Sequence, residues 1–192
     1  MKMLGKFKLL LFAMCFNSHE SLAQSIKFLF VESSEFRKST MEYMDICNKE
    51  GGRIIQALEL NSGLQFDIDT VWIKVIGGPS RANYDTLEMR ASYPRDTKKA
   101  TLVHELGHVL TWDLIPDDVK PGTAPTPHYI LFLFLYDTWI DLWGKGFAKE
   151  QVKVEGKRKG IFNYAELWEY MLKKNKKHRK KELESIISHY RD

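Results

Sequence analysis

The chain has 192 residues, of which 44% are hydrophobic and 12% aromatic, and its formal net charge is +4 at pH 7. This length favours one domain, and this composition supports a hydrophobic core, which excludes a globally disordered chain. The charge is too modest to indicate a nucleic-acid-binding protein, so we expect no nucleic acid partner.

Residues 1–23 have the three parts of a secretory signal peptide. The chain begins with lysines at positions 2, 6 and 8, and a short apolar run follows at residues 9–16. Ser21-Leu22-Ala23 then provides the small residues that precede a cleavage site. A buried N-terminal helix is the alternative. We expect an exported protein, periplasmic or secreted, whose mature part is a single domain over residues 24–192. Cys47 is its one cysteine, so no intrachain disulfide is possible.

The first half of the mature chain mixes strand and helix patterns. Apolar, β-branched and aromatic residues predict strands at 25–31, 66–76 and 86–93. A helix is predicted from Ser34 to Glu50, and Gly51-Gly52 is expected to end it. Residues 54–60 fit either a strand or a helix.

The stretch His104-Glu105-Leu106-Gly107-His108 has the pattern HExxH. Positions i and i+4 of a helix lie roughly 40° apart around its axis, so both histidines project from one face and can share one ion. Neutral imidazoles suit Zn²⁺, and Glu105 beside such an ion suits a general base for hydrolysis. Apolar residues on both sides of the pattern indicate a buried helix rather than a solvated one.

The strand predicted at 86–93 leads through Pro94 into this helix, and Asp96 or Thr97 is the expected N-cap. An edge strand at this place has free N–H and C=O groups that can hold an extended peptide beside the ion. An ordinary sheet edge without a binding role is the alternative.

After a proline-rich loop at 116–127, the second half is predicted to be mostly helical. Thr126 and Pro127 are expected to begin a helix over 128–143, which is apolar nearly all round and therefore central. Its acidic residues and its length make it unsuited to span a membrane. Gly144 is expected to end this helix.

Further along, a short helix is predicted at 147–159, and Asn163 is expected to cap a last helix. The basic run at 173–181 predicts a solvated helical tail. Contact with an anionic surface is the alternative function of this run.

The HExxH stretch resembles that of the zincin metallopeptidases. The resemblance implies an α+β fold in which a small twisted mixed sheet packs on the HExxH helix and a mostly helical half follows. It implies a Zn²⁺ cofactor and a peptide or protein substrate. It also implies His104 and His108 as metal ligands and Glu105 as the catalytic residue, which takes a proton from water and passes it to the leaving amine.

Zincin subfamilies differ in the third metal ligand. The metzincin pattern requires glycine and histidine where this chain has Thr111 and Leu114, and the aspzincin pattern is only half present at Gly122-Thr123. The gluzincin pattern places an acid on a later helix with a second acid one turn on, as Asp137 and Asp141 do here with Asp in place of Glu. The resemblance therefore implies Asp137 as the third ligand and Asp141 as a support for the first metal histidine.

Two carboxylates one turn apart on an apolar helix are costly unless they are paired or metal-bound. Pairing of Asp137 and Asp141 with lysine or arginine is the alternative to metal binding. His128 is the rival ligand, but it lies nine residues before Asp137, so roughly on the opposite side of a regular helix. Candidates for stabilising a substrate oxyanion are His128, Tyr93, Tyr136 and Tyr164.

We therefore expect an exported zinc-dependent peptidase that is a monomer and has no membrane span. The alternatives are a non-catalytic binding module on a zincin scaffold in the cell envelope, and an amidase that acts on cell-wall peptides. Zinc stoichiometry and cleavage of a mixed peptide pool separate these functions.

Overall fold

The computed structural model describes residues 26–116, 119, 122, 125–159 and 163–191, so the predicted signal peptide lies outside the described residues. The described part is an α+β arrangement of a small mixed sheet and five helices, as predicted. The strands are β1 (Lys27–Phe30), β2 (Thr70–Ile76), β3 (Arg81–Asn83) and β4 (Thr86–Arg90). The helices are α1 (Arg37–Ser62), α2 (Arg95–Leu110), α3 (Pro127–Glu155), α4 (Tyr164–Lys173) and α5 (Lys176–Arg191).

The strand order in the sheet is β1-β2-β4-β3. β1, β2 and β4 are parallel, and β3 runs antiparallel to β4 after a turn in which Tyr84 has a φ of 48°. β4, which leads into α2, therefore has a neighbour on each side, and the expectation that it forms the sheet edge was wrong. The edge beside α2 is β3, which the sequence pattern did not predict because it is only three residues long.

α1 continues through Gly51 and Gly52 to Ser62, so the predicted end of this helix was wrong. Gly51 serves close packing instead, because a Cβ built there would lie 2.7 Å from Cε2 of Phe28 in β1. The helix ends at Gly63, whose φ of 74° is the left-handed value typical of a C-cap.

α2 is the HExxH helix, and it contacts β3, β4, α1 and α3. Pro94 is its N-cap, and Asp96 and Thr97 lie inside the helix, so the expectation that one of them caps it was wrong. Proline fixes the entry of the chain through its own backbone geometry and needs no side-chain cap. Most of α2 is buried, as its apolar neighbours indicated.

α3 contacts α1, α2, α4 and α5, which confirms its predicted central position. It begins as expected, with the Thr126 side chain accepting a hydrogen bond from the Tyr129 N–H at 3.2 Å. At Gly144, with a φ of 84° and a ψ of 166°, the helical backbone is interrupted, as predicted, and a second helical segment follows as far as Glu155.

α4 and α5 cover α3. The predicted cap of α4 is confirmed, because Asn163 Oδ1 accepts a hydrogen bond from the Glu166 N–H at 3.2 Å. The basic run spans the end of α4 and the first part of α5. α5 is mostly exposed, but Arg179 and Leu183 are buried against the rest of the fold. Among the described residues, no helix combines the length and the apolar character needed to cross a membrane.

Gly107 allows α2 to pack closely on α3. A Cβ built there would lie 2.3 Å from Cδ1 of Leu131, a fully buried side chain that has little room to move. We expect Gly107→Ala to lower the free energy of unfolding by about 1–3 kcal/mol, because overpacking outweighs the gain in helix propensity. Urea denaturation measures this change. Gly52→Ala is the control, since Gly52 is helical with no atom near a built Cβ, and it should stabilise by up to about 1 kcal/mol. Stabilisation by both variants would contradict the packing role of Gly107.

Candidate metal centre

Three histidines meet where α2 packs on the start of α3. His104 and His108 project from one face of α2, as their spacing predicts, and His128 lies in the first turn of α3. One ring nitrogen from each lies within 4.8 Å of the other two. The Nε2 atoms of His104 and His108 are 3.2 Å apart. Two ligands of a tetrahedral ion with bonds of about 2.0–2.1 Å are separated by roughly 3.3 Å, so these nitrogens can share one ion.

A buried carboxylate orients His104. Its Nδ1 lies 2.7 Å from Oε1 of Glu155, and both side chains are almost fully buried. The other oxygen of Glu155 accepts a hydrogen bond from Nε1 of Trp168 at 3.2 Å. Burial alone would raise the pKa of Glu155, but the nearby His104 and Arg158 lower it, so Glu155 is a carboxylate. The contact leaves Nε2 of His104 facing the other two histidines, as in metal sites with a carboxylate behind the ligand.

The other two histidines are neutral near pH 7. Burial lowers the pKa of His128 to about 4, and the neighbouring His104 contributes in the same direction. Burial and the adjacent His104 and His128 also lower the pKa of His108 well below its usual value. Neutral imidazoles keep a lone pair for a metal ion.

The side chain of Glu105 projects from α2 toward the edge strand β3. Its side chain is almost fully buried, and it accepts a hydrogen bond from the Ala82 backbone N–H. Burial raises the pKa of Glu105, although the charges of His104 and Arg158 act against this. A carboxyl group whose pKa is raised above its ordinary value binds a proton more readily, which suits a group that accepts and returns one.

These residues line a cavity of about 480 Å³. Within the described part of the chain, it is bounded by β3, α2, the start of α3 and the start of α4. Besides Glu105 and the three histidines, its lining consists of Ser80, Arg81, Ala82, Thr111, Trp112, Pro127, Arg158 and Tyr164.

Asp137, the third ligand implied by the resemblance, does not lie with the histidines. Nη2 of Arg179 contacts both of its carboxylate oxygens, at 2.9 Å and 2.7 Å, and both side chains are buried. Ion pairing, the alternative for this residue, is therefore what the structure contains. His128 and Asp137 lie on opposite sides of α3, as their spacing requires, and it is the side of His128 that meets α2.

Asp141 does not support a metal histidine either. Its Oδ2 accepts a hydrogen bond from Nδ2 of Asn61 at 2.8 Å and lies 3.5 Å from Nζ of Lys176, so this residue is in an exposed ion pair, the alternative predicted for it. Glu155 takes the position behind His104, and the sequence analysis missed it. The residue is one of two glutamates in the charged stretch 147–159, and the kink at Gly144 brings this part of the chain back to α2.

Of the three tyrosines considered for oxyanion stabilisation, Tyr164 lines the cavity. Its hydroxyl is 2.8 Å from Nε2 of His128. Tyr136 is buried beside Trp168, and Tyr93 does not line the cavity. Tyr164 is therefore the tyrosine placed to contact a ligand.

No protein-family model matches this chain, and neither a curated protein nor a solved structure matches it. Three close histidines occur in metal sites of several kinds and do not by themselves identify a zincin. The chemistry of the site must therefore be inferred from its own residues.

Proposed function

We propose that this protein is a zinc-dependent peptidase of the zincin type, with His104, His108 and His128 as metal ligands and Glu105 as general base. The observation that supports this most strongly is the convergence of three imidazoles and one carboxylate in a single cavity. His128 takes the place of Asp137 in the ligand set. The secretory pattern of residues 1–23 supports export as part of the proposal.

The donor set suits zinc better than other common divalent ions. Three imidazole nitrogens with an open fourth position are a known catalytic zinc arrangement, whereas Mg²⁺ and Ca²⁺ prefer oxygen ligands. A zinc ion bound there supplies Lewis acidity, which polarises a carbonyl group and makes water a nucleophile near neutral pH. Glu155, by holding Nδ1 of His104, orients that ring toward the ion.

Glu105 moves the proton in the proposed reaction. Its buried carboxylate accepts a proton from the attacking water and then donates it to the leaving amine of the peptide. The hydrogen bond from the Ala82 N–H holds the carboxylate at the cavity wall. The raised pKa means that the protonated form is accessible between these two transfers.

The edge strand β3 is proposed to hold the substrate. Ser80, Arg81 and Ala82 line the cavity, and β3 pairs with β4 alone in the described sheet. An extended peptide can therefore add alongside β3 through the backbone groups that Glu105 does not occupy, which places its carbonyl groups near Glu105. The Tyr164 hydroxyl is then the proposed donor to the oxyanion that forms when water attacks.

Metal content and cleavage of a mixed peptide pool test this function together. The purified protein should contain one zinc ion per chain and should cleave peptides in the pool. A chelator should abolish cleavage, and added Zn²⁺ should restore it. Zinc without cleavage would instead favour a binding module, and cleavage confined to cell-wall fragments would favour an amidase. Absence of bound metal from the folded protein would contradict the proposal.

A further inference from the structure

Arg158 places a guanidinium group at the wall of the metal cavity. It follows the end of α3, and about one-fifth of its side chain is exposed. Nη2 donates a hydrogen bond to Oγ1 of Thr101 at 3.0 Å, and the Tyr164 hydroxyl is a further hydrogen-bond neighbour. Nη1 lies 3.4 Å from Oε1 of Glu155. Counted over the described residues, these contacts use only part of the five N–H donors of a guanidinium group.

The ion pair with Glu155 does not satisfy the hydrogen-bonding capacity of the Arg158 guanidinium group. Glu155 already has close partners on both oxygens, His104 at 2.7 Å and Trp168 at 3.2 Å. The separation of 3.4 Å from Arg158 is longer than the about 2.7–2.9 Å of a strong charge-assisted hydrogen bond. A carboxylate inside the cavity can therefore be a closer partner for Arg158 than Glu155 is.

Arg81, the other arginine that lines the cavity, differs from Arg158 in its ion pairing and its exposure. Its Nη2 lies 2.6 Å from Oε2 of Glu88, and its side chain is largely exposed. The charge of Arg81 is therefore paired within the sheet and screened by water. Arg158 is the arginine whose charge acts inside the cavity, where screening is weaker.

The charges of the site also favour an anionic ligand. A divalent ion held by the three histidines would add its positive charge to that of Arg158 at the wall of the same cavity. A substrate carboxylate in the cavity would be attracted by both charges, whereas an uncharged substrate would not.

We propose that Arg158 binds a carboxylate of the peptide substrate beside the bond that is cleaved. This inference rests on the proposed peptidase function and names its substrate class: peptides that present either an acidic side chain or a C-terminal carboxylate. Arginine suits this task because its planar group can donate two parallel hydrogen bonds to one carboxylate.

Binding of three matched peptides to zinc-loaded Glu105→Gln protein, measured by calorimetry, tests the proposal without hydrolysis. The first is acetylated, amidated penta-alanine. The second carries glutamate at the central position, and the third has a free C-terminal carboxylate. We expect one of the charged peptides to bind at least about tenfold more tightly than the neutral one. The identity of that peptide distinguishes a side-chain carboxylate from a C-terminal carboxylate.

In the same background, Arg158→Gln should reduce the ratio to within about twofold by weakening only the charged peptide. Lys157→Gln is the matched control, because it removes an exposed neighbouring charge that does not line the cavity, and it should leave the ratio unchanged. If Arg158→Gln does not fold, Arg158→Lys replaces it and should lower the ratio at least about threefold, since lysine lacks the forked donor geometry.

Equal binding of all three peptides, absence of binding, or a preference that survives loss of Arg158 would overturn the inference. Failure of the peptidase function has a different signature. If the protein shows no cleavage but still binds the charged peptide more tightly through Arg158, the peptidase function is contradicted and the carboxylate site stands. If the protein is a zinc-dependent peptidase without this preference, only the carboxylate site is contradicted.

Discussion

Glu105→Gln is expected to lose peptide cleavage by at least about a hundredfold while its zinc content stays unchanged. Glutamine has nearly the same shape but cannot accept a proton, and general acid–base catalysis contributes about 10²–10⁴ in rate. Glu105 is not one of the grouped ligand residues, so the ion should stay in place. Its burial raises its pKa, which means that the charge is costly in the fold, and the neutral amide should not destabilise the protein.

Initial rates on the mixed peptide pool, together with elemental analysis of zinc, measure both parts of this prediction. Glu150→Gln is the control, since Glu150 is an exposed residue of α3 that pairs with Lys153 at the surface, and it should match the unmodified protein. Full activity of Glu105→Gln would exclude Glu105 as general base. Loss of zinc from a folded Glu105→Gln would mean that Glu105 binds the metal itself.

His128→Ala is expected to lose zinc affinity, whereas Asp137→Ala is expected to lose stability. His128→Ala should weaken zinc binding by more than about a hundredfold, because it removes one of three ligands, and loss of a mere supporting contact already costs about 10–100-fold. Asp137→Ala should retain zinc whenever it is folded, but it leaves Arg179 buried without its partner. Removing one member of a buried ion pair costs about 3–5 kcal/mol.

Zinc affinity by competition with a chelator and stability by urea denaturation distinguish the two residues. Since a loss of about 3–5 kcal/mol approaches the whole stability of many domains, the double variant Asp137→Ala/Arg179→Met is the second test. It removes both charges and should recover much of the lost stability. If a folded variant without Asp137 loses zinc and His128→Ala keeps it, Asp137 rather than His128 would be the third ligand.

Local patterns predicted what local geometry controls. The four-residue spacing of His104 and His108 places them on one face of any α-helix, whatever surrounds it. Thr126 and Asn163 cap their helices as expected, because a cap contacts backbone groups only two or three residues away. The burial of the HExxH helix followed from the apolar residues on both sides of the pattern.

Predictions failed where a distant neighbour decided the outcome. Gly51 was expected to end α1, but it is a contact point for Phe28 of β1. β4 was expected at the sheet edge, but the short hairpin that follows β2 adds β3 outside it. In both cases the outcome depends on packing or pairing with a separate strand, and the residues next to Gly51 or β4 in the sequence do not reveal that contact.

The residue pattern alone predicted two histidines and a glutamate on one buried helix, and the need for a further ligand if they bind a metal ion. The folded arrangement, by contrast, is what brings His128 rather than Asp137 to the two histidines of α2. The helix that carries both is apolar nearly all round, so its composition does not reveal which side meets α2. Packing turned His128 toward the other histidines and Asp137 toward Arg179, and the kink at Gly144 brought Glu155 behind His104.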